Sequence, residues 1–477
     1  MTSVGRAGIA IIISLMIILA VFCYQFRPQA TVGPRWTGTQ SGGGAQPKDA
    51  AGSSTALKSA GPAARGSDGS TAGRLDDRRS YIPANYTDWS PPALGVSFKD
   101  PTYGTLITRL SNGLAQFNGP VHHEYATISP FNKNNTRILM LTENDGFYIA
   151  DLRGNVIVRP AEVNLSGASE PRWSATDPDV FYFHEYQRNE IRKYDLRTHQ
   201  KSVVHTFTQY SSINFGGGES DISEDGNYLV IIGDGRYVGV YAFSADTLGP
   251  TLDVKGSGDF DYFDMTPDNN VIVRWDAQGK GRLKGFELYD KKLNFIRQVY
   301  PYGAHADRGR DLNGEEVLLV LAATDLDPPP GCEHNGVEKI RLKDGHKTCL
   351  LALNWDVETH ISANSDGGNP WALIQATDAR NDTVKPNATL PTDWQSRWKP
   401  YYNEIILVKI DGSEARRVAH HRSRSFDDYW HTPRAAISRD GAYAVFDSNF
   451  GAYPTPNYTD VFLIKLRLAP PDATTDK

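Results

Sequence analysis

The sequence predicts an all-β, seven-bladed propeller of four-stranded blades, preceded by an N-terminal transmembrane helix and a disordered stalk. Three observations carry that reading. A short unit recurs seven times, each copy pairs a polar turn with strands rich in β-branched and aromatic residues, and the copies are spaced by about one blade. The turn markers fall near Ser129, Ser174, Ser223, Thr266, Arg310, Ser362 and Ser438, at intervals of 45, 49, 43, 44, 52 and 76 residues. Most intervals lie in the window of roughly 40 to 50 residues that a four-stranded blade needs.

The clearest copy spans Tyr429 to Asn449, where the turn Ser438-Arg-Asp440-Gly441 rises into a strand at Tyr443. A second strand, Asp460 to Leu466, follows a turn rich in Gly, Pro and Asn. The strands after the other markers begin at Thr136, Val180, Tyr228, Asn270, Glu316 and Trp371, and their residues suit a pleated, buried surface. Repeat five carries an insertion from Asp325 to Gly345, and repeat six one from Asn381 to Pro400 that holds Trp394 and Trp398. Long insertions in a propeller gather on one face and roof a site, so these two tryptophans are candidates for stacking on a sugar. Filling space between blades is their alternative role.

Ahead of the repeats, Ala7 to Phe26 is an apolar run of about 20 residues, long enough to span a bilayer. Residues 1–27 read as a membrane anchor or uncleaved signal. A cleaved signal peptide competes with that reading, but no small-x-small cleavage site follows the run at once. Residues 28–79 are Gly, Ser, Ala and Thr with scattered charges, which bury too little apolar surface to fold and read as a stalk. The propeller is expected over 80–470, with a tail at 471–477. The strand Tyr103 to Leu110 precedes the first full repeat and has no partner there, so it is expected to complete the seventh blade and close the ring.

Net charge is −6 with both signs interspersed, which gives no electrostatic case for nucleic acid. Of three cysteines, Cys332 and Cys349 fall in or beside the repeat-five insertion. A bridge between them would close a short loop and suit an oxidising, extracytoplasmic compartment. Two unpaired thiols are the other reading.

The segments just before the turn markers should form the innermost strands and line the central channel. They are unusually polar and contain His122, His123 and Glu124, Glu170 and Arg172, Glu219 and Asp221, Asp261 and Tyr262, His305, Asp307 and Arg308, His360, and His431 with Arg434. One reading is a solvated, hydrogen-bonded channel mouth with no chemistry. A second is a divalent ion, Zn²⁺ or Mn²⁺, held by imidazoles from separate repeats, with His305, His360 and His431 as the ligands. A third is proton abstraction beside a carboxylate, as in breaking a uronic-acid chain by β-elimination. It needs a base, an acid and positive charge, and His123, Arg172, His184, Tyr262 and Arg434 are suitable types. No Gly-x-Ser-x-Gly elbow occurs, and Gly216-Gly-Gly218 is not followed by a helical pattern, so serine-nucleophile and phosphate-loop chemistry are unsupported.

Four segments together carry a family likeness: Val121-His-His-Glu-Tyr, Gly303-Ala-His305 before a charged turn, Thr359-His-Ile-Ser362, and His431-Thr-Pro-Arg434 before Ser438-Arg-Asp-Gly. Over roughly Tyr103 to Leu468 the chain resembles the seven-bladed propellers of the oligogalacturonate lyases and the broader TolB-like, WD40-like repeats. The resemblance implies a carbon–oxygen lyase acting on an acidic polysaccharide or oligosaccharide. It also implies a manganese ion held by histidines and a glutamine, by position His305, His360 and His431. Trp430 stands beside His431 where that family has glutamine, so the ligand shell is expected to differ. A non-catalytic glycan- or protein-binding module on a membrane anchor is the alternative from a different class.

Overall fold

The structure is a computed structural model that describes residues 73–466 except 88, 145, 258, 276–281, 323–324, 365–367, 381–382, 384–389, 425–431 and 451–457. The expected anchor at 1–27, most of the stalk, the tail and His431 lie outside the described residues. Among the described residues no helix is long and apolar enough to cross a membrane.

Seven antiparallel sheets follow one another along the chain. Blade one runs from Val121 to Val158, blade two from Arg172 to Thr206, blade three from Ile213 to Asp253 and blade four from Phe260 to Tyr300. Blade five covers Ala306 to Ala352, and blade six covers Val357 to His420. Blade seven is built from Ala436–Ile437, Tyr443–Ser448 and Asp460–Lys465, and its fourth strand is Leu106–Arg109 from the start of the domain. Ile107 pairs with Ile464 and Arg109 with Phe462, so the expected ring closure is the one observed.

Each sheet is covered on both faces by its neighbours, and the middle strands are therefore continuous apolar runs. Ile138–Thr142 and Trp371–Asp378 are buried at every position. The apolar interior divides into seven clusters, each drawn from two adjacent blades, as where Trp371 and Leu373 of blade six meet Phe446 and Phe462 of blade seven. Stability is thus spread over seven interfaces.

The repeated turn has a local cause. Ser438 Oγ accepts the backbone N–H of Tyr443 at 3.0 Å and donates to Asp440 Oδ1 at 2.8 Å, while Gly441 takes φ +72°. Ser223, Asp225 and Gly226 repeat the pattern in blade three. A β-carbon at Gly441 would sit 2.5 Å from Asn369 Oδ1, so the turn needs glycine for space as well as for conformation.

These tight turns join first to second strands on one face of the ring. On the opposite face lie the connections after the second and fourth strands of each blade, among them residues 325–335 and 390–400 of the two expected insertions; Gly336–Arg341, placed in the first insertion by the sequence, is the third strand of blade five. Cys332 and Cys349 are bridged there. Trp398 is 5% exposed and packs edge-on to Tyr86 at 5.0 Å, and Trp394 is half-buried with its ring 5.5 Å from the same tyrosine.

One boundary differs from the sequence expectation. Arg74–Leu75, assigned to the stalk, pairs with Arg417 and Arg416 as a fifth strand on blade six. The outer edge of that blade offers unpaired backbone groups, and Arg417 anchors the segment by donating to the Arg79 carbonyl at 2.5 Å. A polar segment too poor in apolar residues to fold alone is ordered by an edge it can complete.

Candidate functional site

The innermost strands begin on the insertion face and end at the tight turns. Val357 pairs with Asp378 at the first face and Ser362 with Leu373 near the second. Residues at the start of each inner strand therefore meet at one mouth of the channel.

Deeper in, polar side chains reach across the channel and form a floor. Arg308 of blade five forms ion pairs of 2.7 Å with both Asp264 and Asp307 and donates to the Thr127 carbonyl of blade one. Arg439 of blade seven reaches Asp221 of blade three at 2.7 Å. Burial pushes the Asp264 carboxyl up to about 7, with Arg308 opposing the shift.

Above the floor is a narrow cleft of about 10 Å³, room for about one water, lined by Tyr125, Glu219, Tyr262, Arg274, His305 and His360, among others. His305 and His360 stack, with ring centroids 4.5 Å apart and planes inclined by 19°. His305 Nδ1 donates to the Thr359 carbonyl at 2.7 Å, and His360 Nδ1 donates to Gln375 Oε1 at 2.9 Å. The opposite nitrogen of His360, Nε2, is buried and has no hydrogen-bond partner among the described residues. Burial lowers the proton affinity of both rings. The Arg274 guanidinium adds to the effect at His305, against the pull of Glu358, and the His305 ring adds to it at His360. Both imidazoles are thus neutral at neutral pH.

Arg274 pairs with Asp261 at 2.7 Å, and its backbone lies beside Tyr262 in the ladder. Burial, with Glu219 nearby, holds the Tyr262 hydroxyl well above its ordinary value, so it remains a proton donor.

The other expected site residues fall into two groups next to the cleft. His123 Nδ1 lies 2.8 Å from Asp447 Oδ1, its Nε2 lies 2.6 Å from the Arg434 carbonyl, and Arg434 Nη2 donates to Asp447 Oδ2 at 2.9 Å. This fully buried set ties blade one to blade seven. Arg172 grips both oxygens of Glu124, at 2.8 and 2.9 Å, and donates to the Ser220 and Gly218 carbonyls. His184 Nε2 lies 3.2 Å from Glu170 Oε2. Burial raises the Glu124 carboxyl against the Arg172 charge, whereas at Glu170 the His184 and Arg172 contributions outweigh burial and the carboxyl is lowered. Trp394 and Trp398 pack on Tyr86 and are absent from the cleft lining.

Sequence reasoning missed Arg274, Gln375 and Tyr125. Arg274 and Gln375 lie on second strands, whereas the polar segments before the turn markers form first strands. A signal existed, since Arg274 interrupts Val271-Ile-Val with a charge and Gln375 interrupts an apolar run.

The donor chemistry of His305 and His360 suits a divalent ion, but their placement does not. Imidazole ligands bind in the ring plane at about 2.0–2.2 Å, and one ion cannot lie in the planes of two stacked rings. Among the described residues no group of three His, Cys, Asp or Glu side chains could hold a metal ion.

No protein-family model matches the chain, and no curated protein sequence does. Solved structures do. An oligogalacturonate lyase in complex with manganese is 15% identical, with a TM-score of 0.53, over 78% of this chain and 96% of that one. The oligogalacturonate lyase of Vibrio parahaemolyticus is 13% identical, with a TM-score of 0.52 and the same coverages. TolB of Acinetobacter baumannii is 15% identical over 55% of this chain and 62% of its own, at a TM-score of 0.30. At these identities the two lyase likenesses establish the fold, and the chain is a seven-bladed β-propeller of the architecture found in oligogalacturonate lyases.

Proposed function

We propose that the cleft at the channel mouth binds an acidic sugar and that the protein cleaves uronic-acid-containing glycans by β-elimination. The observation that carries the reading is His360, a neutral, buried imidazole whose Nε2 has no hydrogen-bond partner among the described residues, in a cleft that also holds Tyr262 and Arg274. Removing the C5 proton of a uronate builds negative charge on its carboxylate. Arg274 opposes that charge, and electrostatic stabilisation of this kind dominates many such steps. His360 Nε2 takes the proton, the C4–O bond breaks as the C4–C5 double bond forms, and the Tyr262 hydroxyl protonates the departing oxygen. Arg308 spans from blade five to blade one behind the cleft, and substrate enters from the insertion face. Fold likeness to two oligogalacturonate lyases supports an acidic oligosaccharide as the substrate class. An N-terminal anchor holding the propeller outside the cytoplasm fits a glycan substrate and the Cys332–Cys349 bridge.

The test is a screen of acidic polysaccharides for the ultraviolet absorbance of an unsaturated uronate. Activity on at least one, lowered roughly 10²- to 10⁴-fold by His360→Ala, is the expected result. No absorbance across pectic, alginate, ulvan and glycosaminoglycan substrates, with or without added Mn²⁺, overturns the reading.

A further inference from the structure

We infer that Gln375, held by Thr377, is a positioning residue that fixes the tautomer of His360, so that its Nε2 faces the cleft as an electron-pair donor. The inference rests on the catalytic reading for its consequence but not for its geometry. From the cleft outward a chain of side chains crosses blade six: His360, Gln375, Thr377 and His421, all buried. His360 Nδ1 donates to Gln375 Oε1 at 2.9 Å, and the Gln375 amide nitrogen donates to Thr377 Oγ1. Thr377 Oγ1 in turn lies 3.3 Å from His421 Nε2.

Backbone N–H of Ser423 donates to His421 Nδ1 at 3.0 Å, so that nitrogen is an acceptor and the proton of a neutral ring must sit on Nε2, facing Thr377. The amide nitrogen of Gln375 donates to Thr377 Oγ1, which turns the amide oxygen toward His360. A carbonyl oxygen can only accept, so His360 carries its proton on Nδ1. Turning the Gln375 amide over would reverse the outcome, placing N–H against Nδ1 and a proton on Nε2. His421 is wholly buried, and burial with the neighbouring His420 ring holds its proton affinity far down, to about 3, so it stays neutral. Outer partners of this kind are general where a histidine must present one chosen nitrogen.

Nitrogen-15 spectra of histidine-labelled protein, with His360 assigned by loss of its signals in His360→Asn, read the tautomer directly and need no substrate. The expected spectrum shows His360 protonated at Nδ1 and unprotonated at Nε2. Gln375→Glu keeps an acceptor against Nδ1 and should preserve that state. Gln375→Leu should release it toward Nε2–H and lower kcat roughly tenfold to a hundredfold at nearly constant KM. If the leucine variant does not fold, Thr377→Val removes the acceptor of the Gln375 amide nitrogen at similar volume and should leave two His360 tautomers in place of one. A wild-type His360 protonated at Nε2, or an unchanged tautomer in both Gln375→Leu and Thr377→Val, overturns the inference. Absence of lyase activity with the expected tautomer present would count against the catalytic reading alone.

Discussion

Arg308 Nη1 reaches from blade five to the carbonyl oxygen of Thr127 in blade one, 3.2 Å away, although three blade-to-blade steps separate the two around the ring. The same guanidinium neutralises Asp264 and Asp307. Arg308→Met should leave two buried carboxylates without their counter-charge and cost about 3–5 kcal/mol, as for other broken buried pairs. Denaturant melts at pH 7 and pH 5 check this. The loss should shrink at the lower pH, where Asp264, already pushed up to about 7, takes a proton and no longer needs the cation.

Asp447 joins His123 and Arg434 across the blade seven to blade one interface. Its carboxyl is raised by burial, but His123 and Arg434 outweigh that and hold it below the ordinary value of 3.8. A depressed carboxylate contributes stability that is complete above the unfolded value, near pH 4, and is lost as pH falls through the folded one. Asp447→Asn should therefore destabilise the protein at pH 7 and flatten the acid limb of its stability curve. An acid limb identical to that of wild type would disprove the assignment.

Glu338 presents the opposite sign. Its carboxyl is buried beside that of Asp325, and burial together with Asp325 raises it to about 8. The folded state holds this proton more tightly than the unfolded chain, so stability should decline as pH rises from about 4.5 to about 8. Glu338→Gln, which is neutral throughout, should remove that decline and raise the melting temperature at pH 8. Thermal melts at pH 5 and pH 8 decide it.

Trp398 is nearly enclosed by Tyr86, Tyr402 and His420. Trp398→Ala should cost about 3–5 kcal/mol, as large aromatic truncations in cores do. Glycan binding per folded molecule should be unchanged. Trp394 is half-buried, so Trp394→Ala should cost less. Chemical melts and a binding isotherm on the same samples separate the two effects.

Sequence alone determined the blade count, the polar turn and the closing strand, because each is a local or periodic property. Ser438-Arg-Asp-Gly folds by bonding within five residues, and a strand buried on both faces must read as an apolar run wherever it occurs. The polarity of the inner strands, and with it Tyr262, His305 and His360 as cleft residues, was legible for the same reason. Tertiary structure decided the rest. His123, His305 and Arg434 are equivalent in sequence pattern, yet His123 and Arg434 are consumed by Asp447, whereas His305 stacks on His360 in the cleft. Arg274 and Gln375 enter the site from second strands, and the Arg74–Leu75 segment is ordered only by the edge of blade six. Repetition specifies which side chains face the axis, but which of them meet depends on how far each reaches across a ring whose opposite members are hundreds of residues apart.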